Sequence, residues 1–468
     1  MSYNQKMAIK LYNTMSREIE EVKTIKEKEV SMYHCGPTVY DYLHIGNMRA
    51  YIFADILRRT FEYEGYKVKQ VTNFTDVGHL VSDADEGEDK MEKASNKSGK
   101  SAKEIADFFI NIFFKDLEKL NIKTENSIFP KATENISEQI EMIQKLEKEG
   151  HTYKTSDGIY FDISTYKEYG KLGNIDLKGL EAGSRVEFNT EKHTPHDFAL
   201  WKFSPTDEKR QQEWDSPWGI GFPGWHIECS AMSQKYLGNT FDIHTGGVDH
   251  IPVHHNNEIA QSECANHVPL ANIWMHGAFL NWKDRKMSKS DGSFVTLSDL
   301  EKQGIDSLSF RYFVLQSKYR QPMFFEIENI KASQIALNRL KNRIFEILKD
   351  ENFLDKESEK EIENNISETI DNDLDTPKLL AYLWDLVKDE NINKNIIENF
   401  DSILGLKLLE NEKNTKEIPE EVLKLISERK IARENKDWTK SDEIRDAIKK
   451  LGFDLLDKSN GDTEIVKG

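Results

Sequence analysis

The chain has few cysteines and no long apolar run, and each absence excludes a class of protein. Its 468 residues include three cysteines, Cys35, Cys229 and Cys264. An odd number at wide spacings argues against a disulfide framework and favours a reducing compartment, the cytoplasm. No apolar segment approaches the roughly 20 residues that span a bilayer, and the first residues lack the apolar core of a secretory signal. We therefore expect a cytoplasmic protein without membrane association.

The composition is that of a globular protein with an excess of acid. Charged residues make up 31% of the chain and apolar residues 38%, and the length allows two to four domains with substantial cores. The formal net charge of -18 argues against indiscriminate nucleic-acid binding. A local basic face is compatible with that total, because phosphate contacts depend on patches rather than on net charge.

The N-terminal segment alternates between strand and helix patterns. Residues 31–39 predict a strand, residues 50–63 a helix and residues 67–74 a second strand. This order predicts a parallel sheet with a nucleotide site at the carboxyl ends of its strands. Residues 81–101, rich in Asp, Glu, Lys, Ser and Gly, predict a mobile excursion.

We predict an α/β fold in three parts. A Rossmann-type catalytic domain with a parallel sheet would span residues 1–305, split by an inserted connective subdomain at about 121–222. Continuous helix patterns predict an α-helical domain over 306–410, although residues 350–372 are acidic and only loosely patterned. A helix pair followed by a strand predicts a small C-terminal module at 411–468.

Two short signatures indicate nucleotide chemistry. The first, His44-Ile45-Gly46-Asn47, lies between a predicted strand and a predicted helix. A phosphate can meet a helix N-terminus there, and glycine allows close approach of the backbone. The second, Lys286-Met287-Ser288-Lys289-Ser290, places two lysines on a Ser- and Gly-rich segment that can close over the same phosphates. Each motif alone is weak evidence, but their order and separation predict one triphosphate site.

Longer motifs carry a resemblance to a known family. They are residues 33–42, which run into the first signature, residues 223–232 and residues 254–260. Together with both signatures they resemble the cysteinyl-tRNA synthetases, which are class I aminoacyl-tRNA synthetases, over nearly the whole chain. The resemblance implies that ATP activates L-cysteine to cysteinyl-adenylate with release of pyrophosphate. Transfer to the 3′-terminal ribose of tRNA(Cys) would follow, at the 2′-hydroxyl by class.

Four side chains could hold one zinc ion. His254 and Glu258 are four residues apart, so on a helix they share one face, and Cys35 and Cys229 would add two sulfur ligands. Cys, Cys, His and Glu form a plausible zinc set, although any one of them alone is more readily a buried thiol or a hydrogen-bonded histidine. The family's ligand pattern implies all four, with His254 rather than the adjacent His255.

Zinc would explain how cysteine is selected over serine. A pocket that senses only size and apolarity rejects a hydroxyl isostere by about a hundredfold, whereas zinc coordinates a thiolate and lowers the pKa of the thiol. Four protein ligands are typical of closed structural sites. The functional interpretation therefore requires the substrate to become a fifth ligand of the zinc ion, with Glu258 as the ligand that loosens. The sequence leaves open whether the ion stays four-coordinate or becomes five-coordinate.

The resemblance also implies the other site residues. Thr75, Trp225, His244 and Asp249 would bind the amino acid, although Trp225 could equally be a core aromatic residue. The catalytic residues, which would stabilise charge on the phosphates, are His44, Asn47, Lys286 and Lys289. ATP would contact His44, Gly46, Asn47, Lys286, Ser288 and Lys289. Magnesium is expected with ATP.

The C-terminal helix pair bears on the RNA partner. Trp438 lies at its junction, and basic residues recur along it: Arg429, Lys430, Arg433, Lys436, Lys440, Arg445, Lys449 and Lys450. Interleaved acids make a solvated face an equal alternative on charge alone. The resemblance implies an anticodon-binding module that uses base stacking and phosphate contacts. We expect a monomer that binds tRNA(Cys), L-cysteine and ATP.

Two other functions share part of this pattern. A ligase that joins cysteine to a small-molecule amine would have the zinc and nucleotide signatures but would lack the tRNA-reading tail. A related protein that binds tRNA without activating cysteine would not need the signature residues. The intact His44, Lys286 and Lys289 argue against this last function.

Overall fold

The structure is a computed structural model that describes most of the chain in two compact units, Met1–Leu409 and Glu410–Gly468. The described residues are 8–78, 90–175, 190–205, 210–282, 285–286, 294–349, 354–410, 420–435, 437–451, 453–457 and 463–467. Within these ranges no helix combines the length and the apolarity that a membrane crossing requires.

The first unit contains most of the regular structure. Its strands are Lys10–Asn13 (β1), Glu18–Glu21 (β2), Glu29–His34 (β3), Lys67–Thr72 (β4), Thr152–Lys154 (β5), Gly158–Phe161 (β6), Phe198–Phe203 (β7), Gly221–Pro223 (β8), Phe241–Gly247 (β9), Ala271–Gly277 (β10), Leu280–Trp282 (β11), Arg285–Lys286 (β12) and Met323–Phe325 (β13). Its α-helices are Ile45–Tyr63 (α1), Lys90–Ser98 (α2), Ala102–Lys119 (α3), Ile136–Lys148 (α4), Trp225–Leu237 (α5), His254–Asn266 (α6), Leu297–Glu301 (α7), Ser307–Leu315 (α8), Ile327–Ile347 (α9), Lys356–Ile370 (α10), Thr376–Lys388 (α11) and Lys394–Leu404 (α12). Short 3-10 helices are Ala132–Asn135, Ile163–Thr165 and Val248–His250.

A four-stranded parallel sheet in the order β10-β9-β3-β4 forms the centre of this unit, as the β-α-β pattern predicts. The register pairs His34 with Thr245, and Gly247 with Gly277, so three strand ends meet at one edge. The strand predicted over residues 31–39 is shorter in the structure, because β3 ends at His34. After His34 the backbone N–H of Gly36 donates to the Asn73 side chain rather than to a strand carbonyl, and only an isolated bridge, Thr38 with Thr75, follows. The edge at which the chain leaves is the expected position for a ligand site.

The inserted segment forms an antiparallel sheet of its own, in the order β5-β6-β7-β8. Its apolar face packs with residues of α4 and α6 in a core that contains Phe161, Phe198 and Trp201. Cys264 belongs to this core and is 5% exposed, and burial raises the pKa of its thiol to about 12. A buried thiol with a raised pKa is unreactive, so Cys264 is an inert part of this core.

One buried ionic network connects the sheet region with the C-terminal helices of the first unit. The Asp55 carboxylate on α1 accepts hydrogen bonds from Arg59 Nε at 2.7 Å and from Arg311 Nη2 at 2.6 Å. Arg311 on α8 also donates to the carbonyls of Leu404 and Leu120. The guanidinium groups thus use their several donors on backbone acceptors from separate elements.

Two acidic segments contain helices that the sequence pattern did not predict. Helix α10 lies within residues 350–372, and Asp355 caps it by accepting from the backbone N–H groups of Glu357 and Ser358. Its apolar positions Ile362, Ile366 and Ile370 form a buried stripe. Helix α2 falls within the predicted excursion at 81–101, of which residues 81–89 lie outside the described residues.

The second unit contains Glu420–Glu434 (α13), Trp438–Lys450 (α14), Phe453–Asp457 (β14) and Thr463–Lys467 (β15), the two strands pairing antiparallel. Its small core includes Val422, Ile444, Ile448 and Leu455. The basic residues do not all lie on the surface, because Arg429 is only 4% exposed. Lys430, Lys440, Arg445 and Lys449 are exposed.

Candidate active site and metal centre

An open cleft of about 460 Å³ lies at the carboxyl edge of the central sheet. Its walls include the segment after β3, the start of α1 and the glycines Gly246, Gly247 and Gly277 at the ends of β9 and β10. The cleft is lined by His44, Gly46 and Asn47 of the first signature together with Cys35, Trp225 and Asp249. All six are among the site residues named from the sequence. The fold thus brings distant motifs to one cavity.

His44 caps α1 and fixes its own ring orientation in doing so. Its Nδ1 atom accepts from the backbone N–H of Asn47 at 3.1 Å, and the Asn47 side-chain oxygen accepts from the backbone N–H of His44 at 3.2 Å. In a neutral imidazole this leaves the proton on Nε2, assigned from the hydrogen-bond pattern. The first turn of this 19-residue helix contains no acidic residue. Its N-terminus therefore favours an anion.

Glycine and arginine shape the cleft wall next to this cap. A Cβ atom on Gly46 would lie 2.9 Å from two atoms of the His44 ring, so a larger residue would displace the histidine. Arg49, one turn into α1, donates to the carbonyls of Ala278, Phe279 and Gln321. Ala278 and Phe279 line the cleft. Arg49 therefore holds the backbone after β10 against the helix that carries His44.

The four predicted metal ligands lie together beneath the cleft. Cys35 follows β3, Cys229 is on α5, and His254 and Glu258 are one turn apart on α6. Their ligand atoms all lie within 4.8 Å of one another, and all four residues are buried. His254 Nε2 is 3.0 Å from Glu258 Oε1, as the spacing of four residues predicts. Donor atoms of a tetrahedral zinc site are separated by about 3.3–3.8 Å, so small side-chain adjustments would close this set around an ion.

His254 and Glu258 favour their charged forms although both are buried. Burial lowers the pKa of His254, but the Glu258 carboxylate outweighs it and raises the pKa to about 10. Burial likewise opposes ionisation of Glu258, yet His244 and His254 hold its pKa below the usual range. Burial raises the pKa of the Cys35 thiol, whereas a hydrogen bond from Cys35 lowers the pKa of Cys229. The cluster therefore holds protons that a bound cation would displace.

A second donor set overlaps the first. It shares Cys35 and Glu258 but uses His244 and His255 instead of Cys229 and His254. His255 Nε2 is 3.3 Å from Cys35 Sγ, and its Nδ1 is 2.8 Å from His276 Nε2. Two sulfurs, one imidazole nitrogen and one carboxylate oxygen suit zinc better than a set with one sulfur. The donor chemistry of Cys35, Cys229, His254 and Glu258 therefore fits the expected ion.

The four predicted amino-acid contacts occupy different depths. Trp225 and Asp249 line the cleft. His244 is fully buried on β9, and its Nε2 atom is 2.9 Å from Glu258 Oε2. Thr75 is 2% exposed, and its hydroxyl donates to Glu228 Oε2 at 2.8 Å. Trp225 is not a plain core residue, since it stands at the start of α5 with its ring centroid 4.5 Å from that of His254.

Asn73 is a site residue that the sequence did not single out. Its side-chain oxygen accepts from the backbone N–H of Gly36 at 2.8 Å and lies 3.7 Å from Cys229 Sγ. Its amide nitrogen donates weakly to the Thr75 hydroxyl at 3.4 Å. A Cβ atom on Gly36 would lie 1.5 Å from the Asn73 carbonyl oxygen, so only glycine fits this approach. Asn73 therefore connects the two cysteine segments with the predicted substrate residue, and its position two residues before Thr75 was the available signal.

The lysine signature falls mainly outside the described residues. Ser288 and Lys289 lie there, and for Lys286 only the backbone is described, in β12, which pairs antiparallel with β11. Leu280 of β11 lines the cleft. The described backbone therefore leads from the cleft wall toward this signature.

A third cluster, Asp162, His193 and Asp197, lies in the inserted segment. The Asp197 carboxylate is filled by hydrogen bonds from Tyr153, from Thr194 and from the backbone N–H of Ile163. These bonds explain the cluster as part of the local fold, because the carboxylate already has its acceptor sites in use.

Comparison with known proteins agrees with the geometry. A family described as tRNA synthetases class I (C) catalytic domain matches residues 21–335, and one described as Cysteinyl-tRNA ligase anticodon binding domain matches residues 415–462. The methionyl-tRNA synthetase of Mycobacterium tuberculosis, solved in complex with methionyl-adenylate, superposes with a TM-score of 0.57 at 14% identity. That superposition covers 82% of this chain and 90% of the other, and it shows the shared fold alone.

Curated relatives align along nearly the whole chain. Cysteine–tRNA ligase 1 of Burkholderia lata is 48% identical over 459 residues, which cover 97% of this chain and 96% of that protein. Cysteine–tRNA ligase of Treponema denticola is 44% identical over 489 residues, covering 98% and 99%. The resemblance inferred from the motifs is thereby confirmed, and the chain belongs to the cysteine–tRNA ligase family of the class I tRNA synthetases.

Proposed function

We propose that this chain activates L-cysteine with ATP and transfers it to the 3′-terminal ribose of tRNA(Cys). The observation that carries the proposal is the position of a Cys-Cys-His-Glu cluster directly beneath a cleft that His44 and the N-terminus of α1 line. A thiol-selective group and a phosphate-binding helix end then face one substrate. Three free, buried cysteines are in keeping with action in the cytoplasm.

ATP would bind at the start of α1. The backbone around Gly46, the His44 ring and the Asn47 side chain would contact its phosphates, where the helix dipole favours negative charge. Lys286, Ser288 and Lys289 would close over the phosphates from the other side, and magnesium would accompany the nucleotide. His44, Asn47, Lys286 and Lys289 would stabilise charge that develops on the phosphates during transfer.

In the first step the cysteine carboxylate attacks the α-phosphate of ATP. A bond from carboxylate oxygen to phosphorus forms, the bond from that phosphorus to the bridging oxygen breaks, and pyrophosphate leaves. Because phosphoryl transfer requires little covalent participation by protein groups, the chain contributes mainly position and charge. In the second step a ribose hydroxyl of the tRNA attacks the carbonyl carbon of the adenylate, and AMP leaves.

The amino-acid side of the cleft would hold cysteine by both ends. Asp249 would pair with the substrate ammonium group, and Trp225 would cover the side chain. Thr75 and His244 are both buried and hydrogen-bonded to carboxylates, so their positions are fixed before substrate binds. Because these side chains are already ordered, substrate binding loses little side-chain entropy at them.

Cys35, Cys229, His254 and Glu258 would hold zinc at the base of this pocket. A zinc ion bound there would coordinate the substrate sulfur as a thiolate, a contact that serine cannot reproduce. The role of the chain is to present two sulfurs and a carboxylate whose charges favour a cation, and to exclude water through burial. His226, whose Nδ1 lies 2.9 Å from His254 Nδ1, fixes the orientation of that ring.

ATP–pyrophosphate exchange with each amino acid, followed by charging of total tRNA, tests the proposal. We expect exchange with cysteine to be faster than exchange with serine by clearly more than about a hundredfold, the factor that size alone gives, and we expect charging of one tRNA. A ratio of about a hundredfold or less would contradict selection by zinc. Exchange without charging of tRNA would instead indicate a ligase that transfers cysteine to a small amine.

A further inference from the structure

An exposed group of aromatic rings lies beside the mouth of the cleft. Tyr42 is 46% exposed and Phe108 is 45% exposed, large fractions for aromatic side chains. The Phe109 ring connects them, with centroids 5.2 Å from Tyr42 and 5.1 Å from Phe108, both in edge-to-face geometry. We call these three residues the aromatic platform.

The platform is anchored at the cleft rim from two sides. Tyr42 stands between Asp41 and Leu43, and both of these residues line the cleft. Tyr42 also packs against α3, in a small cavity that Phe109 and Phe113 line as well. Because α3 begins with a capping box at Ser101, its position is well defined at this end. The platform therefore adjoins the cleft wall through residues 41–43 and continues onto α3.

Two lysines lie on the Phe108 side of the platform, whereas Asp41 and Asp116 line the small cavity on its Tyr42 side. Lys100 Nζ lies 5.3 Å from the Phe108 ring centroid, a cation–π distance. Lys115, seven residues after Phe108, is exposed on the same face of α3. Glu104, four residues before Phe108 on α3, accepts hydrogen bonds from the backbone N–H and the hydroxyl of Ser101. Exposed aromatic rings among lysines are the combination that binds single-stranded nucleic acid through stacking and phosphate contacts.

We propose that the aromatic platform stacks the unpaired nucleotides at the 3′ end of the tRNA while its terminal ribose reaches the adenylate. The inference rests on the proposed function and adds to it the surface on which the RNA end is held. The unpaired end must enter the cleft to receive the amino acid, and the platform adjoins the cleft at Asp41 and Leu43. Stacking on Phe108 would be sequence-tolerant, because every base offers a π face.

Substitution of Phe108 tests the platform. Phe108→Ala is expected to leave ATP–pyrophosphate exchange unchanged and to slow transfer of cysteine from preformed adenylate by about 5- to 100-fold, the range that loss of one stacked base produces. Phe108→Trp should retain transfer, because the ring is preserved. Ile19→Ala, which removes an equally exposed apolar side chain from the β1–β2 sheet, is the matched control and should change neither reaction.

A binding comparison locates the contact on the RNA. The Phe108→Ala chain should bind intact tRNA at least about fivefold more weakly than the wild-type chain does. For tRNA trimmed of its unpaired 3′ nucleotides, the variant and the wild-type chain should have equal affinities. Equal weakening for both RNAs, or undiminished transfer by Phe108→Ala, would overturn the platform. Failure of the wild-type chain to support exchange with cysteine would overturn the proposed function instead, so the two outcomes are separate.

Discussion

His254 and His255 are neighbours in the chain but face different groups. Both Nε2 atoms lie near Glu258 Oε1, that of His254 at 3.0 Å and that of His255 at 3.9 Å. The His254 ring lies at a tilt beside Trp225, however, whereas His255 is hydrogen-bonded to His276 on β10. We predict that His254→Ala loses bound zinc and that His255→Ala retains it, because only the first substitution removes a ligand from the set with two sulfurs. Zinc content per chain after dialysis, measured by atomic emission, gives the answer.

Cys264→Ala is the control for this pair, since it removes a buried thiol outside the cluster. Retention of zinc by His254→Ala together with its loss from His255→Ala would show that the overlapping set with His244 is the one that binds. That result would also move Cys229 out of the ligand list.

At the scale of single residues, the sequence singles out candidate ligands more readily than the residues that support them. Cys35, Cys229, His254 and Glu258 are chemically distinctive, and the spacing of His254 and Glu258 already implies one helix face. Asn73 has only a weaker signal, its position two residues before Thr75, because an amide side chain is recognised as a site residue only by what it contacts. Its partners Gly36 and Cys229 lie 37 and 156 positions away, and only the fold brings them near.

At the scale of elements, the acidic helix α10 shows why composition misleads. Glu and Lys dominate residues 356–370, and the pattern looks loose. The apolar residues nevertheless recur every fourth position at Ile362, Ile366 and Ile370, which places them on one buried stripe. Short strands such as β12 are harder still to predict, because their pairing depends on a partner strand rather than on their own residues.

The ionic network around Asp55 connects α1, α8 and the end of α12, and its loss should lower the free energy of unfolding. Arg311→Met leaves the buried carboxylate with one arginine and removes the side-chain donor from two backbone carbonyls, Leu404 and Leu120, so we expect a loss of about 3 kcal/mol or more in unfolding free energy. Thermal or denaturant unfolding of the full chain measures it. Arg343→Met, at an exposed pair with Glu390, is the matched control and should cost less than about 1 kcal/mol.

The same network gives a pH dependence of known sign. Burial opposes ionisation of Asp55, but Arg59 and Arg311 outweigh it, and the pKa of the carboxyl is lowered. A group with a lowered folded-state pKa stabilises the fold above its unfolded pKa of about 3.9, and that stability disappears as pH falls. The difference in melting temperature between wild type and Asp55→Asn should stay constant from about pH 5 to 8 and shrink below about pH 4. A difference that grew in acid would contradict this assignment.

At the scale of the whole molecule, the two compact units divide the predicted work. The first unit contains the cleft, the Cys-Cys-His-Glu cluster and the aromatic platform. The second unit matches an anticodon-binding family over residues 415–462 and has its own small core. The net charge of the whole chain does not indicate which unit binds RNA, because acidic residues occur in both units. Recognition of the RNA must therefore be tested on individual exposed residues of each unit.

Trp438 is the residue on which anticodon recognition can be tested most directly. It is 59% exposed at the start of α14, whose cap Asp437 accepts from the backbone N–H of Lys440. We predict that Trp438→Ala raises the KM for tRNA in charging by about fivefold or more and leaves exchange with cysteine unchanged, because a stacked base contributes about 1–3 kcal/mol. Leu423→Ala, an exposed apolar truncation on α13, is the matched control.

Salt separates stacking from phosphate contact in the same unit. Lys440→Ala should reduce the slope of log affinity against log salt by about one, because one fewer counterion is released. Trp438→Ala should weaken binding at every salt concentration and leave that slope unchanged, since stacking releases no counterion. If Trp438→Ala altered the slope as Lys440→Ala does, or weakened binding no more than Leu423→Ala, then Trp438 would not stack on a base. The basic helix pair would in that case bind the RNA through its charges alone.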